Sequence, residues 1–480
     1  MSGVEFGLAV LAAVDISIRY GKSLIEICTA FKNAEIDIAE KCLQVRYHCT
    51  RIVTQLQVLK KVSSLVSKDQ LRIHEDMLLV LKSKLQLVQS LLDSCVKVGP
   101  NGKQEVKKKK FVLFKRDTLQ KAVDELEAWE SKFDPLWFLM MKTNVPEIDD
   151  ALKDPTSIEG GNKRPVSLAQ DLRRALNSNS DKTSGIFKPQ SGLDSAEIED
   201  IQNSSAKIAQ RPGSHNRLVL DRVIPYAGCD TVIMKKDIRD FARKLFHADP
   251  LAFGLLSCYG VVQNRDVPGS FTIVFRIPEG SWKADSLRSY LIAGETEQSY
   301  RKRQACEKSR KNVRPETILI LSEADEEIGL AYLVGFESFR MSERRTYRQG
   351  DMNFERNLYR HPNRQGLSPI EGYSMQHDIY SLGVCLLEIG LWKTFIEYDE
   401  KGNPQPSDIL QLKEAALGVS QALPRFLGTT YSSIVITCLT CLDEDNDDFG
   451  DDSEFQDEDG ITVGVRYTEK IIMRLNDIFV

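Results

Sequence analysis

The sequence predicts an α-helical bundle plus α+β: an N-terminal four-helix bundle, then a small β-rich part and a larger helical part. Three observations carry this. Apolar residues recur at alternating spacings of four and three through residues 1–146. β-Branched and aromatic runs gather between residues 217 and 283. Helical periodicity returns from 284 to 480, and a length of 480 residues suits about three domains better than one core.

The first 146 residues read as helix. Ile38, Cys42, Val45, Cys49, Ile52, Leu56 and Leu59 fall on one stripe, and Leu71, His74, Leu78, Leu81, Leu85, Val88, Leu92 and Cys95 on another. A third stripe carries Leu119, Val123, Leu126, Trp129 and Phe133, and a first helix runs from Phe6 to about Phe31. Breaks at Ser67-Lys68-Asp69 and Gly99-Pro100-Asn101-Gly102 favour an antiparallel bundle over one long coiled coil. Burial of about 1.5–3 kcal/mol per Leu or Ile lets such stripes offset the entropy of ordering them. His74, on an apolar stripe, is expected to be a packed, hydrogen-bonded core histidine.

Residues 147–216 change to Pro, Ser, Asn, Asp and Gly, and read as a flexible linker with a short helix around 168–176. Between 217 and 283, Phe271–Ile277 and Leu255–Val262 read as strands and Lys236–Phe246 as a helix. Residues 284–480 are predominantly helical, most clearly Asp378–Ile389, with an acidic insertion at 443–459. That insertion fails the EF-hand pattern, because Asp448 and Phe449 stand where the loop needs Gly and an oxygen ligand; a solvated loop is expected. Cys438 and Cys441 form a lone C-x-x-C and read as structural thiols.

Composition excludes several classes. Hydrophobic residues at 42% and charged residues at 28% are a globular balance, and a net charge of −5 argues against a nucleic-acid binder. Ten cysteines in 480 residues fit a reduced, cytoplasmic setting. The apolar run Phe6–Val14 is nine residues, where a membrane span needs about 20. It has no basic leader, and Ser2 excludes myristoylation.

At this point the residues resemble two families. His377-Asp378-Ile379-Tyr380-Ser381-Leu382-Gly383-Val384 resembles the start of the large central helix of a protein-kinase C-lobe. Tyr359-Arg360-His361-Pro362-Asn363 sits where kinases carry A-P-E, Val334-Gly335-Phe336-Glu337 where they carry D-F-G, and Arg310 to Thr317 where the catalytic loop H-R-D-L-K-P-E-N belongs. The resemblance covers about 217–480 and implies a two-lobed kinase-like domain: an N-lobe at 217–283 and a C-lobe at 284–480. Phe336, Pro362, Asp378 and Gly383 are its implied structural residues, with Asp378 bonded to the backbone of the former catalytic loop. The apolar helix expected before that loop is replaced by the charged run Tyr300–Arg310.

The chemical positions are degenerate. Asn312 stands for the catalytic Asp, Thr317 for the metal-binding Asn, and Gly335 for the metal-binding Asp. No G-x-G-x-x-G occurs in 217–280, and no Glu lies between Lys235 and Gln263 to pair with a lysine. Lys235 and Lys236 stand too close to the following helix for the kinase lysine. A pseudokinase is therefore expected, with no catalytic residue, no metal and no cofactor; nucleotide binding stays open.

The N-terminal bundle resembles the HeLo and HeLo-like domains of fungal heterokaryon-incompatibility proteins. Phe6–Asp15 is similar to their first helix, and Leu126–Trp137 to a closing segment recurrent where such a domain is paired with a kinase-like one. The layout is similar to that of the mixed-lineage kinase domain-like pseudokinase. This implies a signalling or programmed-cell-death effector that self-associates through its bundle, engages anionic membrane and answers to an upstream protein partner. Lys103, Lys107, Lys108, Lys109, Lys110, Lys115 and Arg116 surround Phe111-Val112-Leu113-Phe114, a pattern that suits either lipid contact or a solvated loop between helices. The alternatives are a degenerate kinase that still binds nucleotide, or a passive interaction scaffold.

Overall fold

The computed structural model describes residues 3–31, 36–66, 68–93, 96–98, 104–106, 116–143, 145–153, parts of 166–173, 185–214, 216–225, 230–246, 250, 254–267, 269–278, 283–293, 314–322, 329–336, 353–399, 404–405, 413–450, 455 and 461–478. An N-terminal helical region precedes a region of mixed sheet and helix, in two compact units. The first is Met1–Arg174 with Asp457–Asn476, and the second is Ala175–Gln456, the last four residues aside.

In the first unit, α1 (Gly3–Ala30), α2 (Ile36–Val62), α3 (Lys68–Asp93) and α4 (Arg116–Lys142) pack around one core. α1 lies against α2 and α3, and α4 against the same two. The predicted stripes are the buried ones. Cys42, Val45, Cys49, Ile52, Leu56 and Leu59 on α2 are at most 1% exposed, and so are Leu78, Leu81, Leu85, Val88 and Leu92 on α3. Val10 and Val14 of α1 are also fully buried, as expected for its apolar start. Trp129 stacks on Phe133 at 4.7 Å, and its indole N–H donates to the Met77 carbonyl.

Two elements here depart from the prediction. A two-stranded ladder, β1 (Val96–Val98) with β2 (Gln104–Val106), lies between α3 and α4 in a stretch read as all helix. The Gly-Pro-Asn-Gly run separates strands too short for their alternation to register. The C-terminal helical segment, Ile461–Tyr467, a π-helical turn Thr468–Ile472 and Met473–Ile478, groups with the bundle and not with the preceding helices. Val465 is buried in the bundle core, and Arg72 Nη2 lies 3.6 Å from Glu469 Oε2. Periodicity marked this segment as helical but carries no information about which core it joins.

The stretch read as a linker, 147–216, is a further correction, because much of it belongs to the two folded units. α5 (Pro146–Lys153) buries Ile148 and Leu152, and residues 166, 167, 169, 170 and 173 are helical. Arg173 is 2% exposed; its guanidinium donates to the carbonyls of Met141, Thr143 and Val145 and pairs with Asp149. It thereby satisfies carbonyls left over where α4 ends. Further along, β3 (Phe187–Lys188), β4 (Glu197–Asp200) and β5 (Lys207–Gln210) join the sheet of the second unit. Their polar faces hid them, since β4 is exposed throughout.

That sheet is completed by β6 (Arg217–Val223), β7 (Cys258–Gln263) and β8 (Phe271–Arg276), in the order β3-β7-β8-β6-β5-β4. All neighbours are antiparallel except β3 and β7. α6 (Thr231–Phe246), between β6 and β7, buries Ile238, Ala242 and Leu245 against it. A second sheet, β9 (Lys283–Ser286), β10 (Ile318–Ser322) and β11 (Leu330–Leu333), has the order β11-β10-β9 and shares its core through Leu319, Leu321, Tyr332 and Val334. α7 (Leu287–Ala293) follows β9, and then α8 (Met375–Leu391), α9 (Lys413–Ser420) and α10 (Pro424–Leu439) pack together. Gly383 permits the close approach of α8 and α10: a Cβ there would meet Cys438 Cβ at 2.7 Å. Among the described residues no helix is long and apolar enough to cross a membrane.

Candidate functional site

Two of the three singled-out positions, Thr317 and Gly335, meet where β6 passes the residues after β11. Thr317 is fully buried; its hydroxyl accepts from Arg314 N–H at 3.1 Å and donates to Arg314 O at 2.9 Å, closing a short 3-10 turn ahead of β10. Its carbonyl accepts from Val334 N–H at 2.8 Å. Gly335 has φ +81°, and any Cβ there would collide with the Thr317 methyl. Both conformation and space therefore demand glycine. Phe336 turns into the core of the second unit, edge-on to Phe241 at 4.9 Å and beside Phe275 at 5.9 Å.

The residue that sequence reasoning missed is Asp221. It lies on β6, fully buried, in the run Arg217-Leu-Val-Leu-Asp-Arg-Val223. Its Oδ2 accepts from the backbone N–H of Gly335 at 3.0 Å and of Phe336 at 2.7 Å, across more than 110 residues of chain. A carboxyl directly after the apolar run Leu218-Val219-Leu220 was the available signal, because such a group is costly to bury without partners. The arrangement presents an acidic side chain, with neither hydroxyl nor ammonium, at the point where the two sheets meet.

Lys235 and Lys236 lie on α6, not on a strand. Lys235 donates to Gln263 Oε1 at 3.1 Å and stands over the Phe187 ring at 5.1 Å.

Beneath this site a charged network ties α7 to α8. Arg288 is 1% exposed. Its Nη1 donates to Glu388 Oε1 at 3.1 Å and Thr394 Oγ1 at 2.6 Å; its Nη2 donates to Glu316 Oε2 at 2.9 Å and the Tyr359 hydroxyl at 2.6 Å. Tyr359 donates onward to Glu388 Oε2, and Phe395 N–H to Glu388 Oε1, each at 2.7 Å. Burial pushes the Glu388 carboxyl upward, opposed by Arg288 and these two donors. Burial likewise holds Tyr359 well above its usual range, so it stays a donor.

Of the other predicted residues, Pro362 opens a 3-10 turn (Pro362–Arg364), and Asp378 accepts from the Tyr373 hydroxyl. Residues 310–313 of the loop expected to bond Asp378, Asn312 among them, lie outside the described residues, as do Tyr300–Arg310, Lys107, Lys108, Lys109, Lys110, Phe111, Phe114 and Lys115. Arg116 begins α4. Cys438 and Cys441 are buried free thiols, Cys441 bonded to the Gln376 carbonyl. In the acidic insertion, Asn446 Oδ1 caps the N–H groups of Asp448 and Phe449, and the buried Phe449 anchors the loop, so this part is built rather than merely solvated.

Compared with known proteins, the chain matches no protein-family model and no curated relative.

Proposed function

We propose that the chain is a signalling or cell-death effector in which a helical bundle does the work and a catalytically silent, kinase-like second unit regulates it. Three features support the kinase-like reading. Three strands, a helix and two further strands follow in order, β4-β5-β6, α6, β7-β8, with the last strand returning beside the third. The short sheet β10–β11 separates the 3-10 turn at Pro315–Thr317 from Gly335-Phe336, as a catalytic-loop remnant and a D-F-G remnant require. The long buried helix α8 carries the His377–Val384 motif.

One observation carries the silent part of the reading. In a kinase the third strand supplies the lysine that anchors the nucleotide phosphates. On β6, the third strand of this series, the buried charge-bearing side chain is Asp221, already committed to Gly335 and Phe336. A carboxylate repels phosphate oxygens where an ammonium would attract them. Gly335, on the opposite side, offers no ligand to Mg²⁺.

The test is a thermal-shift and phosphotransfer assay on the full chain. No stabilisation by ATP with Mg²⁺ is expected. Magnesium-dependent γ-phosphoryl transfer that disappears in Asp221→Asn would overturn the reading. The effector half rests on the bundle and on the basic run at 103–116. Leakage of phosphatidylserine vesicles by full-length protein, absent with neutral vesicles and lost when Lys107 to Lys110 become Ala, is the expected outcome; equal behaviour toward both vesicle types leaves the bundle without a membrane role.

A further inference from the structure

Apart from the Asp221 site, three metal-ligating side chains meet at the N-terminal end of α8. His361 precedes the 3-10 turn, Glu371 lies in the segment that follows it, and His377 sits in the first turn of α8. One ligand atom from each falls within 4.8 Å of the other two. His377 Nε2 is 3.7 Å from Glu371 Oε2. The imidazoles are perpendicular, with centroids 5.9 Å apart, and are 6% and 7% exposed.

A purely structural role accounts for only half of each ring. His377 Nδ1 serves the cap of α8, within 3.0 Å of Ser374 N and 2.9 Å of Ser374 Oγ, and His361 Nδ1 is 3.4 Å from Asn363 N. The Nε2 atoms of both histidines are buried and make no hydrogen bond among the described residues. Two buried ring nitrogens left bare beside a carboxylate are an unusual use of polar groups. Glu371 is positioned rather than loose: Asn363 Nδ2 donates to its Oε1, and Arg364 Nη1 to its carbonyl, which leaves Oε2 for the histidines.

We propose that His361 Nε2, His377 Nε2 and Glu371 Oε2 bind a divalent ion of the zinc type, with water as fourth ligand. Two imidazoles and a carboxylate form a set that Zn²⁺ takes readily, and its ligands stand about 3.4 Å apart in a tetrahedron, so modest side-chain rotation closes the site. Zinc selects the tautomer with the proton on Nδ1. In His377 that proton finds Ser374 Oγ at 2.9 Å or Ser374 O at 3.3 Å, the outer-shell bond that orients a ligating histidine, and the Ser374 N–H that donates to Nδ1 at 3.0 Å gives up that bond. His361 gives up only its long contact. Two cations lie near the rings, Arg364 beside His377 and Lys413 beside His361. Lys413 is itself paired with Asp443. The half-exposed carboxyl of Glu371 leaves the open position facing solvent. Such an ion fastens the 361–371 segment to α8 more firmly than the ring contacts of His361 with Tyr380 and His377 that already join them.

The experiment uses the full chain, stripped with chelator and titrated with Co²⁺ and Zn²⁺. One equivalent of Co²⁺ with visible d–d bands and no thiolate charge-transfer band is expected, together with an upward shift in Tm on adding Zn²⁺. Glu371→Gln, at a half-exposed position, and His361→Gln should each weaken Zn²⁺ binding more than about 100-fold and abolish the Tm shift, with the metal-free Tm of Glu371→Gln near that of the parent chain. A parent chain that takes up no Co²⁺, a thiolate spectrum, or variants that bind with undiminished affinity would each overturn the proposal.

Discussion

The two units solve the problem of buried charge differently. In the bundle, Arg51 of α2 meets Glu130 and Asp134 of α4, but the arginine side chain is 23% exposed and Gln55 and His48 share the load. In the second unit, Arg288 and Glu388 are 2% and 0% exposed and pair across 100 residues of sequence. The four helices are held by apolar stripes, and of their ions Arg51 stays partly exposed although Glu130, and Arg173 beyond α4, are buried. The second unit has ions at the centre of its helical part, where water cannot rescue a broken pair.

The sharpest test of that contrast is Arg288→Met. It leaves Glu388 buried without its cation, and a loss of about 3–5 kcal/mol is expected in the denaturant unfolding of the second unit. The double change Arg288→Met with Glu388→Leu should recover much of it, because the cost lies in the stranded charge. Arg51→Met, at a partly exposed arginine whose carboxylates keep His48 and Gln55 as partners, should cost clearly less. Equal losses at Arg51 and Arg288 would erase the distinction between the units.

Next in size is Gly335→Ala. The positive φ and the Thr317 methyl both oppose a side chain, so a loss of about 2 kcal/mol is expected by chemical denaturation. Thr317→Ser, which removes the methyl and keeps the hydroxyl, should return part of it in the double variant. Full additivity would mean that backbone strain alone, without the collision, sets the cost.

These sites also show what the sequence could and could not disclose. The bundle was legible because a helix buries one stripe, and every described residue of the α2 and α3 stripes is buried. The strands at 258–263 and 271–276 were legible from β-branched runs. β4 was not, because all four of its residues are exposed and it is defined by its hydrogen bonds to β5. Thr317 and Gly335 were singled out by their order along the chain, and the structure brings the two together. Asp221 was not, because its partners lie more than 110 residues away and are backbone N–H groups, which no side-chain pattern encodes. The His361–Glu371–His377 cluster escaped for a related reason: its spacing matches no metal motif, and the turns between its residues do the gathering.

A smaller effect is the response of the bundle to pH. His74 is fully buried in the bundle; its Nδ1 contacts the Gln70 carbonyl at 2.5 Å, and its ring stands edge-on to Phe133. Burial holds its pKa below the ordinary histidine value. The unfolded chain therefore binds a proton that the folded bundle refuses, and bundle stability should fall as pH drops through about 6.5, by at most about 1.4 kcal/mol per pH unit for this one group. Denaturation series from pH 7.5 to 5 should show that slope reduced in His74→Gln; an unchanged slope would assign it to groups other than His74, and not to the buried Glu130, whose raised pKa acts in the opposite sense.

The smallest expected effect is at Lys60 and Asp15, which join α1 to α2 at 2.6 Å with side chains 48% and 49% exposed. Water screens this pair and both side chains lose rotamer freedom in holding it, so Asp15→Asn should change bundle stability by less than about 0.5 kcal/mol, and by nothing measurable at 1 M salt. The value of the measurement lies in its contrast with Arg288, whose pair is just as visible as a short N–O distance. If Asp15→Asn proved as damaging as Arg288→Met, exposure would not be what separates an ion pair that matters from one that does not, and the difference between the two units would need another cause.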